Sequence, residues 1–238
     1  MPMGGATSPA GLYSQDEVDE ICDGFKCGKR CVGVPYAALR ARGRAGRVLT
    51  GMLVNFRKQT GLASSHWALR SFGPIRKCGP RIVRQVRNLR PISMSCDMAQ
   101  VQDALWIKRN GALLQSFCGA NQVGGVSDPI SVIIALVLHV QLRAAHGLSS
   151  FLGLADLKWA FDAADISGMK LNCFMAGVVS LDWLVIDDIM SMDRQCIRMH
   201  GLLSAIFVLG CGTAQGRRFS VHVFNGILRW LPDEIEAS

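Results

Sequence analysis

Between Gly24 and Cys96 the sequence has neither aspartate nor glutamate, although sixteen of its 26 lysines and arginines fall there. A block with no acid of its own gives its bases no local counter-charge. It points to a polyanion-facing N-terminal half, satisfied by nucleic acid, nucleotide phosphate or both, with a solvated basic surface as the alternative. The remaining residues carry ten bases against all eighteen acids, a balance of −8, so the two halves have different electrostatic tasks. Long apolar runs are also missing. The longest, Ile130 to Leu138, is nine residues including a serine, whereas a bilayer span takes roughly 20. Nothing at the N-terminus pairs a basic stretch with an apolar core, so nothing there marks a secretory signal, and an intracellular location, nucleus or cytoplasm, is expected with no membrane partner. Cys-x-x-Cys pairs are absent. The nine cysteines are scattered and odd in number, which fits a reducing compartment rather than a disulfide scaffold. Cys22, Cys27 and Cys31 cluster as C-x4-C-x3-C, but no fourth Cys or His lies near enough to complete a zinc site. The five histidines are dispersed, and no Ser/His/Asp or His-Glu-x-x-His arrangement supports a hydrolase.

What is present is a 238-residue chain that is 50% hydrophobic, enough for a substantial core. Residues 1–14 are rich in Gly, Ser and Pro and read as disordered. A helix starts near Ser14 with Val18, Ile21 and Cys22 along one face, and Gly43-Arg44-Ala45-Gly46 breaks the next segment. Val48 to Phe56 reads as a helix, Trp67 to Lys77 as containing a strand, and Arg81 to Ser95 as extended chain through Pro91. Asp97 to Leu114 reads as a helix. Asp128-Pro129 opens another with an N-cap followed by Pro at N1, running to His146 and closed by Gly147. Its apolar residues surround the axis, so it is expected to be buried. Phe151 to Ala155 reads as a buried strand ending at Asp156, residues 163–176 and 180–200 as helices, Leu203 to Leu209 as a strand, and Arg217 to Trp230 as a helix. This order of elements is α+β.

Several short motifs lie on that framework: Asn88-Leu89-Arg90-Pro91-Ile92-Ser93, Asn121-Gln122-Val123-Gly124-Gly125, Asp156-Leu157-Lys158-Trp159-Ala160-Phe161-Asp162 and Gly212-Thr213-Ala214-Gln215-Gly216. Together with Lys26-Cys27-Gly28-Lys29 and Pro74-Ile75-Arg76-Lys77, they resemble the fingers and N-terminal palm of a non-LTR (LINE-type) retrotransposon reverse transcriptase, a family similar to group II intron-encoded enzymes. Coverage runs from about Asp16 to the C-terminus. Two departures stand out: Gly125 replaces the usual aromatic of Gln-x-Gly-aromatic, and Ala214 replaces the usual proline of Gly-x-Pro-Gln-Gly. The resemblance implies right-hand polymerase fingers over residues 15–147 and a partial palm over 148–238. The family's third motif, an aromatic-Ala-Asp-Asp tetrad, does not occur in the twenty-two residues after Gly216. Val185-Ile186-Asp187-Asp188 imitates it, but precedes the second motif and lies in a helical pattern.

The resemblance implies RNA-directed DNA synthesis on an RNA template and DNA primer, with dNTP as substrate and Mg2+ as cofactor. Two-metal phosphoryl transfer requires oxygen ligands converging at strand ends. Asp156 would be the catalytic carboxylate and metal ligand, with the Leu157 carbonyl beside it. Phe161 would lie under the sugar and reject a 2′-hydroxyl, Gln215 would contact the incoming nucleotide, and Gly216 would allow close approach. Lys77 and Arg90 would neutralise triphosphate charge. Without the motifs the same residues read differently: Asp156 as a helix cap, Phe161 as core, Gln215 as a turn residue and Lys77 as a solvated charge. Asp162 reads as structural. Residues 1–238 alone are expected to be inactive, and the alternative is a non-catalytic nucleic-acid-binding remnant of a decayed retroelement.

Overall fold

The computed structural model describes residues 11–25, 41–62, 67, 69–76, 89–119, 122–125, 128–154, 156–157, 159–191, 194–199, 201–213 and 215–230. Helix α1 (Gln15–Gly24) begins at a capping box: the Ser14 hydroxyl accepts from the Glu17 N–H while the Glu17 carboxylate accepts from the Ser14 N–H. Val18 and Cys22, one turn apart, form its buried stripe. Helix α2 (Arg44–Thr60) is longer than its apolar centre suggests, because Gly43 is its N-cap and Gly46 is accommodated within it; Gly61 ends it in the left-handed conformation. Strands β1 (Leu69–Arg76) and β2 (Leu89–Met94) lead into helix α3 (Asp97–Cys118). After α4 (Pro129–Ala145) come the short α5 (Ala160–Ala163), α6 (Ile166–Met175) and α7 (Ser180–Ser191). Strands β3 (Arg194–Met199), β4 (Leu202–Leu203) and β5 (Phe207–Val208), helix α8 (Ser220–Asn225) and a 3-10 turn (Gly226–Trp230) complete a mixed α+β arrangement.

The five-stranded sheet runs β2-β1-β3-β4, with β5 also paired to β3. β1 is antiparallel to β2 and parallel to β3, which pairs antiparallel with β4 and β5. The register slips by one residue between Gln195↔Phe207 and Arg198↔Leu203, as a bulge requires.

Helix α3 is the pillar. It sends Trp106 and Leu114 into a core shared with Met169, Cys173, Ile186, Phe219 and Val223, and Met98, Val101 and Leu105 into a second core with Tyr13, Val18, Phe25 and Val54. Charged contacts hold the second core to α7: Lys58 and Asp182, both wholly buried, meet at 2.5 Å. Lys58 Nζ lies 4.3 Å from the centre of the Tyr13 ring and the Arg109 guanidinium 4.5 Å from it. Burial pushes the Tyr13 phenol well above its ordinary value and Lys58 below its own.

Four expectations are overturned among the described residues. No residue of α4 is buried, because nothing packs over its apolar sides. The strand expected at 151–155 is not formed over its described part: residues 151–154 have no regular structure, no described strand pairs with them, and Phe151 and Leu154 are 97% and 90% exposed. The helix of 180–200 stops at Ser191, since residues 194–197 pair with β1, and that long-range pairing overrides local helical pattern. The helix of 217–230 starts only at Ser220, and it is α-helical to Asn225 before tightening into a 3-10 turn over Gly226–Trp230. Residues 1–10, Cys27 and Cys31 lie outside the described residues.

Candidate active site

The Arg90-Pro91-Ile92-Ser93 segment forms most of β2, the edge strand of the sheet. In an antiparallel ladder, backbone groups point alternately toward the partner and away from it. The Ser93 N–H points away, since it donates to the Gln215 carbonyl at 2.7 Å. Pro91, two residues back, occupies the equivalent outward position opposite Pro74, where a missing N–H costs the ladder nothing. The motif therefore fits an edge strand that uses its outward backbone to hold another segment.

That segment is the Gly212–Gly216 turn. Its other side is sewn to the Phe161–Ala164 backbone: the Gly212 N–H donates to the Ala164 carbonyl at 2.7 Å and the Thr213 N–H to the Phe161 carbonyl at 2.8 Å. Both glycines are required. Gly212 has φ +84° and a Cβ there would lie 2.6 Å from the Asp162 carbonyl oxygen; Gly216 has φ +101° and its Cβ would lie 3.0 Å from the Ser93 carbonyl oxygen. Gln215 Nε2 donates to Asp162 Oδ1 at 3.3 Å, so Asp162 engages a side chain across the site rather than backbone near its helix start.

Phe161, Gln215, Gly216 and the β2 backbone are thus brought together across more than a hundred residues of sequence. Phe161 is half-buried, its ring stacked on Phe224 at 4.5 Å. Asp156 and Leu157 lie in exposed, irregular chain. Lys77 lies outside the described residues, as does the side chain of Arg90. The preceding Trp159 has φ +57°, an uncommon conformation for a bulky residue, and its carbonyl accepts the Asp162 and Ala163 N–H groups at 2.9 Å. At Gly125 the backbone has φ +71° and a Cβ would lie 2.6 Å from Val221 Cγ1, so a side chain there would be strained and would require Val221 to shift.

Sequence reasoning missed a pair behind the turn. Arg217 donates through Nε and Nη2 to the two oxygens of Asp103 on α3, at 3.0 and 2.8 Å, and both residues are buried. Nothing in a pattern of helical period links residues 114 apart.

The charge reading also changes. Four bases of the block find acids outside it: Arg42 with Asp97 at 2.6 Å, Arg47 with Asp23 at 2.6 Å, Arg57 with Asp188 at 2.5 Å, and Lys58 with Asp182. The inference that an acid-free stretch leaves its bases without counter-charges fails on α2, because folding supplies them from elsewhere. Asp187 pairs with Lys170 at 2.7 Å, so both carboxylates of the Asp187-Asp188 decoy serve interhelical ion pairs.

For Mg2+, the Asp156 carboxylate and Leu157 carbonyl are hard oxygen donors of the right chemistry. They are too few for an octahedral site, and no cluster of three ligating side chains occurs among the described residues. These residues do not by themselves make a metal centre, and no step is derived through one. No protein-family model matches the chain, and no curated protein matches it.

Proposed function

We propose that this chain is the fingers and N-terminal palm of a retroelement reverse transcriptase, acting in RNA-templated DNA synthesis from dNTPs with Mg2+. The observation that carries the reading is the convergence of three separate motif segments. β2, the Phe161–Asp162 turn and the Gly212–Gly216 turn meet through Ser93 N–H to Gln215, Thr213 N–H to Phe161 and Gln215 to Asp162. Motifs kept for local reasons alone have no need to touch.

In this reading Gln215 and the glycine-lined approach at Gly216 receive the incoming nucleotide. Phe161, held from behind by Phe224, filters the sugar. Asp156 and the Leu157 carbonyl would contribute only part of the oxygen ligands that the metal ions need. Lys77 and Arg90 would neutralise triphosphate charge, and phosphate contacts to template and primer would fall to bases of the block other than Arg42, Arg47, Arg57 and Lys58, which are paired with acids.

These 238 residues contain no aromatic-Ala-Asp-Asp tetrad, so the test supplies one. The chain is joined to the downstream palm hairpin and thumb of a related enzyme and assayed for dNTP incorporation on an RNA template. Synthesis that Asp156→Asn abolishes is the expected result, since the amide keeps the shape but not the charge. Synthesis that survives Asp156→Asn removes Asp156 from the metal site, and duplex binding without incorporation favours the non-catalytic reading.

A further inference from the structure

We propose that Asp103 is a positioning residue, acting through Arg217 to hold the Gly212–Gly216 turn in its nucleotide-receiving shape; the functional part of this inference rests on the polymerase reading above. β2 and α3 are consecutive, separated only by Ser95 and Cys96, and form one arm. That arm grips the turn at two points flanking Gly216: the Ser93 N–H holds the Gln215 carbonyl at 2.7 Å, and the Asp103 carboxylate holds the Arg217 guanidinium at 2.8 and 3.0 Å. Gly216, the residue between the grips, has φ +101° and lies against Ser93 and Ile92.

The form of the second grip is informative. A two-pronged Arg–carboxylate contact fixes direction as well as distance, which a lysine or an apolar pair does not. Replacing a buried ion pair by apolar residues is often neutral or stabilising, so an ion pair is not needed for cohesion alone. The Arg217 guanidinium is also stacked 4.1 Å over the Phe219 ring, which leaves it little rotational freedom. A displacement of the arm is therefore transmitted to Gln215 from both sides of the glycine.

The test is amide hydrogen exchange on the full chain. In Asp103→Asn, exchange at Ser93, Gly212 and Thr213 rises about tenfold or more, while Val18 and Val54 in the other core stay within about twofold. Arg217→Lys keeps the charge but loses the fork and gives the same local loosening, which covers the case in which the Asp103 variant does not fold. Unchanged exchange at Ser93 and Thr213, or equal acceleration in both cores, overturns the positioning role. A second arm titrates a fluorescent dNTP with Mg2+ onto the chain bound to an RNA–DNA primer–template. Both variants weaken nucleotide affinity by about tenfold with duplex affinity nearly unchanged. Equal nucleotide affinity in wild type and variants overturns the functional part. A wild-type chain that binds no nucleotide contradicts the polymerase reading instead, and the exchange result alone then decides the clamp.

Discussion

Helices α3 and α4 invert what their compositions suggest. α3 contains Gln102, Asp103 and Asn110, yet fourteen of its 22 residues are buried; α4 is Pro-Ile-Ser-Val-Ile-Ile-Ala-Leu-Val-Leu-His-Val followed by Gln-Leu-Arg-Ala-Ala, and none of its 17 is. The polar side chains of α3 go inside with at least one partner each: Asp103 meets Arg217, Gln102 Nε2 donates to the Tyr13 hydroxyl, and Asn110 Nδ2 donates to the Trp106 carbonyl, while the amide oxygens of Gln102 and Asn110 have no hydrogen-bond partner among the described residues. The apolar groups of α4 stay outside because none of the described elements covers them. Composition states a demand for burial, and topology decides whether it is met. Exposed apolar surface of this extent marks a place where proteins associate or aggregate.

The comparison is broken most easily from the buried side. Trp106→Ala empties a large volume and deprives the Asp182 carbonyl of its indole N–H, so it is expected to cost about 3–5 kcal/mol in denaturant unfolding. Lys58→Ala strands the Asp182 carboxylate in the core and costs a similar ~3–5 kcal/mol, whereas Lys58→Met with Asp182→Leu recovers most of it. A loss under about 1 kcal/mol in the single variants would show that this core is not packed as described.

Phe161→Ala loses a stacked, half-buried ring and is expected to cost about 1–3 kcal/mol. On the proposed polymerase reading, once the chain is joined to the downstream palm and thumb of a related enzyme, Phe161→Ala is also expected to raise ribonucleotide incorporation relative to deoxynucleotide, while Phe161→Tyr is expected to be mild. Full sugar discrimination in the Ala variant makes Phe161 core only.

A smaller effect lies in acid. The Arg109 hydrogen bonds hold the Glu17 carboxyl down to about 2 from its ordinary 4.5. A depressed folded-state value means that this stabilisation is complete above the unfolded pKa and is lost as pH falls from about 4.5 toward 2. Glu17→Gln flattens that part of the stability-versus-pH curve, and an unchanged slope rules the pair out as its cause. Smallest of all is Ile133→Ala on α4, with less than about 0.5 kcal/mol expected. A larger loss means that α4 is covered in solution.

The elements whose signals are local were legible in the sequence. The helix start near Ser14, the Asp128-Pro129 helix start and the extended chain around Pro91 depend on neighbours a few residues away; both helix starts stand where their residues place them, and the described part of the extended run is the strand Leu89–Met94. What was not legible depends on distant partners. Arg194–Met199 has a helical environment on its N-terminal side and becomes a strand because β1 offers an edge. The acids paired with α2 come from α7 and α1, the acid paired with Arg42 just before it comes from α3, and Asp103 finds Arg217 across 114 residues. In the site, the motifs named the residues, but not that the Ser93 backbone would clasp Gln215 or that Phe161 would lean on Phe224.

Hydrogen exchange with and without an RNA–DNA primer–template, Mg2+ and a matched dNTP tests most directly whether the three motif segments form one nucleotide site. The expected result is joint protection of Ser93, residues 159–162 and residues 211–216 when dNTP is added to the duplex complex, with α1 and α2 unchanged. Protection of only one of the three segments, or none, would contradict the account.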